Sequence, residues 1–307
     1  MNKRTIYFDE ALHKYTDEYG NVFTSVTTVI SKYVKEFESD KVAKICERIG
    51  KNPSHPKYLK YKGKSAKQLL AEWKETTNIA LDKGNRKHNY LEYAIKHSNG
   101  YKKVEDQFIK DRIFTIPDII ENPIVGQTSI ERLWELELDV KYPVIFNIIC
   151  EFIKDGWKLY SEIGVYSIEH LISGLIDLLL VKDDMFFIID WKTNKAPINF
   201  TSGYYDKDTN GELTDNFIED GKTLLFPLNY MPASTGHKYS LQLSGYTNLV
   251  ESFGLKSKGI LLCHIQGEEG NEVVNLLNIK YLKSDINLLF NHHTSKNQIK
   301  FQSKMFV

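Results

Sequence analysis

The chain reads as a layered α/β or α+β domain on three observations. Apolar, β-rich runs at Tyr160–Ile168, Leu171–Val181 and Met185–Lys192 follow one another with only tight polar turns between them. A helical stretch (Tyr239–Phe253) and a further apolar strand (Gly259–Ile265) come next. Helical patterns collect upstream, so a sheet and the helices to cover it are both present. With 307 residues, 42% of them hydrophobic, the chain can bury one large core or two ordinary ones, which excludes wholesale disorder.

Each element has its own signal. Residues 1–24 alternate apolar and polar around a turn at Glu18-Tyr19-Gly20-Asn21 and predict a short hairpin. Ser25 is placed to cap a helix starting at Val26. Amphipathic helices follow at 38–49 and 65–82, separated by the Pro- and Lys-rich loop Asn52–Lys64. Ala66–His97 is helix-rich with Gly84 as a break, 98–125 is a loose connection, and 129–156 is helical with an interruption at Pro143. After the three strands, the polar stretch Asn194–Gly236 shows no clear periodicity. A strand at Glu272–Tyr281 and a closing helix end the pattern, and the polar tail from Asn291 is expected to fray.

Charge narrows the class of function. Lys plus Arg and Asp plus Glu both number 40, which argues against a histone-like or arm-type nucleic-acid binder. The neutral total hides a local excess of +8 over Lys41–Lys67 and of −10 over Glu105–Asp190. The basic stretch, interleaved with His55, Tyr58 and Tyr61, reads either as a solvated face or as a phosphate track with rings for stacking. Three scattered cysteines (Cys46, Cys150, Cys263) build neither a disulfide framework nor a metal knuckle and point to a reducing, cytoplasmic setting. The N-terminal residues lack the pattern of a signal peptide, and no apolar run is long enough for a membrane span.

Two acids stand where burial should exclude them. Asp177 interrupts Leu171–Val181, and Asp190 closes Met185–Lys192. An ionised carboxylate buried without a partner costs several kcal/mol, so two imply a compensating cation. If Asp183-Asp184 form a two-residue turn, Val181 faces Phe186 and Asp177 faces Asp190. A four-residue loop keeps that pairing; a three-residue loop destroys it. Opposed residues have Cβ atoms about 4.5–5.5 Å apart, close enough to share one hard cation such as Mg²⁺ or Mn²⁺. Lys192, two residues on, points to the same face, where it can orient a water or neutralise phosphate charge. The competing reading is a structural Asp–Lys ion pair. Glu162, in the preceding strand, is either a third carboxylate or an ordinary half-exposed residue, and Gly174 permits close backbone approach.

Glu162, Gly174-Leu175-Ile176-Asp177, Asp190-Trp191-Lys192 and Gln242-Leu243-Ser244-Gly245-Tyr246 together resemble the RecB-like branch of the PD-(D/E)XK nucleases. That branch includes bacterial recombination nucleases, phage exonucleases and the mitochondrial genome-maintenance exonuclease. Its upstream His-x-x-x-Glu helix fits Gly84–His88 and Glu92; Ser25-Val26-Thr27 and Pro227–Tyr246 also look like phage members, so the resemblance spans roughly 22–285. It implies an α/β restriction-endonuclease-like core, a mixed central sheet flanked by helices, over 126–307. The helical region over 1–125 would carry the basic segment and the histidine motif, the whole forming one compact unit. It further implies Asp177, Asp190, His88 and the backbone carbonyl of Trp191 as metal ligands for Mg²⁺, with Mn²⁺ able to substitute. Lys192 would position the attacking water, Glu162 would be a further catalytic carboxylate, and Gln242, Tyr246 and Glu92 would brace the site or touch DNA. Lys57, Lys60, Lys62 and Lys64 are the expected DNA contacts of the basic segment. The iron–sulfur cysteines of some relatives are missing, so no cluster is expected, and Asn85 stands where a small residue is usual. The implied activity is a Mg²⁺-dependent exonuclease acting on DNA ends or single strands. An inactive DNA-binding or assembly protein and a restriction-type endonuclease are the alternatives.

Overall fold

The computed structural model describes residues 3–98, 111–121, 129–208, 211–267 and 272–305. Strands β1 (Ile6–Asp9), β2 (Lys14–Asp17) and β3 (Val22–Ser25) form an antiparallel meander, so the expected single hairpin is two. The turn between β2 and β3 is held by Asp17, whose carboxylate accepts from the backbone N–H of Tyr19 and Asn21, and Gly20 supplies the left-handed φ of 81°. Ser25 then caps α1 (Val26–Ser31) by accepting from the Thr28 N–H, as its position predicted.

Helix α2 (Ser39–Ile49) and the single turn α3 (Tyr58–Tyr61) precede α4 (Ala66–Ser98), which runs without a break through Gly84. The glycine is there for proximity: a Cβ at Gly84 would lie 2.8 Å from Thr193 Oγ1. The expected loose connection lies partly outside the described residues; its described part holds β4 (Arg112–Ile113) and α5 (Ile116–Glu121). Helices α6 (Ile130–Glu135), α7 (Leu138–Lys141) and α8 (Pro143–Lys154) follow. Pro143 opens α8, where its missing N–H costs nothing.

Strands β5 (Lys158–Ser167), β6 (Ile172–Lys182) and β7 (Met185–Lys192) form the centre of the sheet. The polar stretch that lacked periodicity contains its own hairpin, β8 (Gly203–Lys207) with β9 (Leu213–Glu219). Helix α9 (Thr235–Glu251), strands β10 (Lys256–Gln266) and β11 (Val273–Asn278), and α10 (Lys283–Met305) complete the chain. The tail expected to fray from Asn291 thus continues a helix.

The main sheet has nine strands in the order β11-β10-β7-β6-β3-β2-β1-β4, with β5 also paired to β6. Parallel pairs (β10 with β7, β3 with β6) and antiparallel pairs are mixed. Through the β3–β6 pair the sheet crosses the expected boundary at 125/126. One face buries a core of α1, α9 and α10 side chains against Phe186, Ile188 and Ile260; the other buries α4, α6 and α8 side chains against Leu178, Ile189 and Trp191. All three cysteines are buried and free, and no described helix is long and apolar enough to cross a membrane.

Candidate active site

The β6–β7 turn closes as the two-residue reading requires. Val181 pairs with Phe186 and Lys182 with Met185, and the same register continues to Leu178 and Ile189. One step further it sets Asp177 opposite Asp190, but there the ladder stops. On that edge of β6 the next partner is β3, which pairs at Ile172 and Ser173. The sheet therefore forks at Asp177, between a departing β7 and an arriving β3. The Trp191 N–H, left without a ladder carbonyl, donates to Asp177 Oδ2 at 2.9 Å.

The other edge of β6 is interrupted at the same level. β5 pairs Ser161 with Leu178 and Ile163 with Ile176, skipping Glu162 and Asp177. Glu162 holds a φ of 55°, a left-handed conformation costly for a side chain of its size. On each strand the packing changes face at this residue. Ile176 packs with the α9-side core while Leu178 packs with the α4-side core, and Ile163 and Leu159 divide the same way. Three carboxylates consequently stand in a row across β5, β6 and β7 where regular pairing fails.

Their electrostatics follow from that crowding. Burial and the nearby Asp177 and Glu92 carboxylates push Glu162 up to about 9, with Lys96 opposing. Asp190 is almost fully buried, and burial lifts it to about 6 against the pull of Lys192. The Lys192 ammonium lies 2.6 Å from Asp190 Oδ2 and 4.9 Å from the Tyr239 ring centroid. Burial works to lower the lysine's pKa, but Asp190 and Asp177 outweigh it and raise it, so Lys192 stays charged at neutral pH. Lys192 is thus the partner of Asp190 Oδ2, and the two form a buried ion pair.

Helix α4 brings the histidine. Gly84 lets it approach Thr193 at the end of β7, and one turn later His88 Nδ1 lies 3.6 Å from Asp177 Oδ2. Lys87 ties the same turn to the β10–β11 end through the Gly267 carbonyl at 3.2 Å and Glu272 at 3.7 Å. Glu92 is ion-paired with Lys96 at the next turn and acts on Glu162 electrostatically. From the opposite face, Gln242 donates to Tyr246 OH at 3.1 Å, and Tyr246 packs on Gly174, where a Cβ would meet its ring at 2.4 Å. Burial drives the Tyr246 phenol well above its ordinary pKa, so it remains a neutral brace.

The structure thus brings together Glu162, Asp177, Asp190, Lys192 and His88, with Gln242 and Tyr246 beneath them. It does not bring the four lysines to them as free cations. Lys57 pairs with Asp206 at 3.3 Å, Lys60 donates to the Lys207 carbonyl at 2.9 Å, and Lys64 pairs with Glu72 at 2.8 Å. Lys62 lies over the Tyr58 ring. Three neighbours escaped the sequence reading. Tyr239 covers Lys192, His264 stands opposite Lys192 in the β7–β10 register, and Asn194 joins them. Asn194 accepts from Tyr239 OH at 3.2 Å through its side chain, and its carbonyl lies 2.7 Å from His264 Nε2. Tyr239 could have been found as the residue one turn before Gln242; a strand-end histidine carries no comparable signal.

No protein-family model matches the chain, and no curated protein matches it. A "Putative exonuclease" from Eubacterium rectale is a solved structure with a TM-score of 0.30 and 11% identity, covering 68% of this chain and 66% of that one. The crystal structure of SSO0001 gives a TM-score of 0.24 and 12% identity over 70% of this chain and 87% of that one. The chain spans just under two thirds of the first protein's length. At these scores neither likeness bears on activity, which must be argued from the site.

A divalent cation fits this site by its donors. Mg²⁺ is ordinarily held by one or two carboxylates, with water and substrate phosphate filling the remaining positions. Among the described residues no group of three or more His, Cys, Asp or Glu side chains forms a ready cage, so a full protein shell is not on offer. What is present is the carboxylate pair Asp177 and Asp190 at the fork, with His88 Nδ1 3.6 Å from Asp177.

Proposed function

We propose that this chain is a metal-dependent nuclease of the RecB-like PD-(D/E)XK type, an exonuclease hydrolysing phosphodiester bonds at DNA ends or in single strands. One observation carries the reading: the Asp177–Asp190 pair, beside a charged Lys192, where the sheet forks. An ion pair kept only for stability needs neither the second acid nor the strained Glu162.

Asp177 and Asp190 would hold the cation, with the Trp191 carbonyl and His88 as further ligands. The bound ion would supply Lewis-acid polarisation of the phosphate and a lowered pKa for a coordinated water. The remaining work falls to the chain. Lys192 stays protonated, so it orients the attacking water and stabilises negative charge accumulating on the phosphate, and does not serve as the base. Tyr239 and the Asn194 bridge hold the β7 and β10 ends, which fixes the lysine's direction. Trp191 orients Asp177 through its backbone N–H.

Incubation with linear and closed-circular DNA, in Mg²⁺ or in EDTA, is the test. Mg²⁺-dependent loss of linear DNA only supports an exonuclease. Cutting of the circle indicates an endonuclease, and binding without cleavage indicates a DNA-binding protein on this fold.

A further inference from the structure

Away from the carboxylates, four separate segments meet in a basic and aromatic surface. Tyr33, just after α1, has its hydroxyl 2.9 Å from His292 Nδ1 of α10, and the two rings lie 5.5 Å apart. Phe226 stands edge-on to His292 at 5.2 Å, and Lys296 lies 5.6 Å over the Tyr33 ring. His170, in the β5–β6 turn, meets Thr294 at 2.9 Å and so brings a further histidine to the same turn of α10. Phe226 is 68% exposed, although the loop carrying it is anchored by buried Leu224, Leu228 and Met231. A loop that holds a phenyl ring in solvent near Lys296 can act as a stacking platform.

The lysines Lys32 and Lys296 act on the histidines of this surface. Burial holds His293 down to about 4, helped by Lys32, His170, His292 and Lys296, and burial with Lys296 lowers His292. The charges acting most strongly on these two rings are all positive. The nearby Asp285 carboxylate is engaged by the Tyr230 hydroxyl.

Position connects the surface to the proposed chemistry. Tyr33, Leu228 and Phe290 belong to the core on the α9 side of the sheet, the side to which alternation from Phe186 and Ile188 directs Asp190 and Lys192. β6 begins two residues after His170 and reaches Asp177 five residues later, about 17 Å along the strand. A stacked strand advances about 3.4 Å per nucleotide, so the β6 span from Ile172 to Asp177 alone matches about five nucleotides.

We propose that Tyr33, Phe226, His292 and Lys296 form a subsite for single-stranded DNA, with a base stacked on Phe226 and the adjoining phosphate held by His292 and Lys296. The inference rests on the nuclease reading and adds where the strand runs beyond the scissile bond. A polyanion with exposed π-faces meets both properties of the surface, whereas a purely apolar partner would leave Lys296 unanswered.

The test uses the full chain and fluorescently labelled single strands of three and twenty nucleotides, with Ca²⁺ to block cleavage. Phe226→Ala should weaken binding of the longer strand about tenfold, within the range of one lost base stack, and leave the shorter strand unchanged. H292Q combined with K296S, which removes one cation and one hydrogen-bond partner, should flatten the log-affinity against log-salt slope by about 0.7. Because Phe226 is mostly exposed, unaltered melting temperatures are expected and serve as the control. If wild type cleaves linear DNA but both variants bind the longer strand with unchanged affinity and slope, the subsite is refuted and the nuclease reading stands. If wild type neither binds nor cleaves DNA, both fall. Self-association that Phe226→Ala abolishes would assign the surface to a second copy instead.

Discussion

The fork at Asp177 and the basic segment Lys41–Lys67 hold the two densest charge features of the chain, and they are built in opposite ways. At the fork, charges are packed where water is scarce: Asp190 and Lys192 touch at 2.6 Å, and Glu162 is forced into a left-handed backbone. In the basic segment the charges sit in water and engage the chain itself. Lys41 pairs with Glu38 and Lys51 with Glu47, while Lys57 and Lys60 hold β8. Exposed pairs of this kind contribute little, typically under 1 kcal/mol each, whereas removing one member of a buried pair costs several. A buried charge therefore advertises a purpose that an exposed one does not.

The comparison breaks first, and with the largest effect, if the fork tolerates substitution. D177A, D190A and K192A should each lower Mg²⁺-dependent cleavage of linear DNA by about a thousandfold or more, the scale of losing a metal ligand or a charge stabiliser. Circular dichroism should show the fold retained. Substantial residual activity in D190A, measured as time courses at saturating Mg²⁺, would return the pair to a structural role.

Stability against pH sharpens the same contrast between buried groups of opposite sign. Glu162 lies at about 9 in the fold against an ordinary 4.5, so between these values the native state holds a proton the unfolded chain has released. Its contribution falls as pH rises through that window. His293 is the reverse: at about 4 against 6.5, it is neutral where the unfolded chain is charged, and stability is lost as pH falls from 6.5 to 4. In EDTA, E162Q should raise the melting temperature at pH 8 by several degrees and have little effect at pH 4. H293Q should flatten the decline between pH 6.5 and 4. Equal shifts at both ends of the range would contradict the assignment of these groups.

Much of the fork was legible because the β6–β7 register depends only on turn length, and Asp183-Asp184 fixed it. The fork itself was not. It arises because β3, about 150 residues earlier in sequence, takes the edge of β6 that β7 leaves, and no local pattern encodes a pairing at that distance. Gly84 was misread for a related reason. In a helix pattern a glycine suggests a break, but here it clears Thr193, a residue more than a hundred positions away. The β8–β9 hairpin was missed because its strands bury little, so its sequence lacks an apolar alternation.

The two close-approach glycines give a third, smaller effect. A Cβ at Gly174 would lie 2.4 Å from the Tyr246 ring, a rigid and buried neighbour, so G174A should cost about 1–3 kcal/mol and displace the Gln242–Tyr246 brace. At Gly84 the obstacle is the end of the Thr193 side chain at 2.8 Å, which can rotate away. An alanine there also gains about 1 kcal/mol of helix propensity. G84A should therefore be close to neutral in chemical denaturation while G174A is not. Equal losses would mean that α4 is pinned at Gly84 as firmly as α9 is at Gly174.

The smallest effect is expected where the sequence charge is densest. Each phosphate neutralised on a single strand steepens the log-affinity against log-salt slope by about 0.7, so four free lysines at 57, 60, 62 and 64 would account for two to three units. Their contacts reduce that expectation. Lys57 and Lys64 face carboxylates, Lys60 is held by a carbonyl of β8, and Lys62 is engaged by the Tyr58 ring. Changing all four to Ser should flatten the slope by about one unit or less. It should raise KM more than it lowers kcat, because the contacts are remote from the scissile phosphate. The larger change should be local: without Lys57 and Lys60, the β8–β9 hairpin loses two of its ties to the helical region, and limited proteolysis should cut within 203–219 sooner than in wild type. A slope reduced by two units or more would show that the lysines exchange their internal partners for phosphate when DNA binds, making the segment a true counterpart of the fork; an unchanged slope with faster proteolysis would leave it as a clasp for the hairpin.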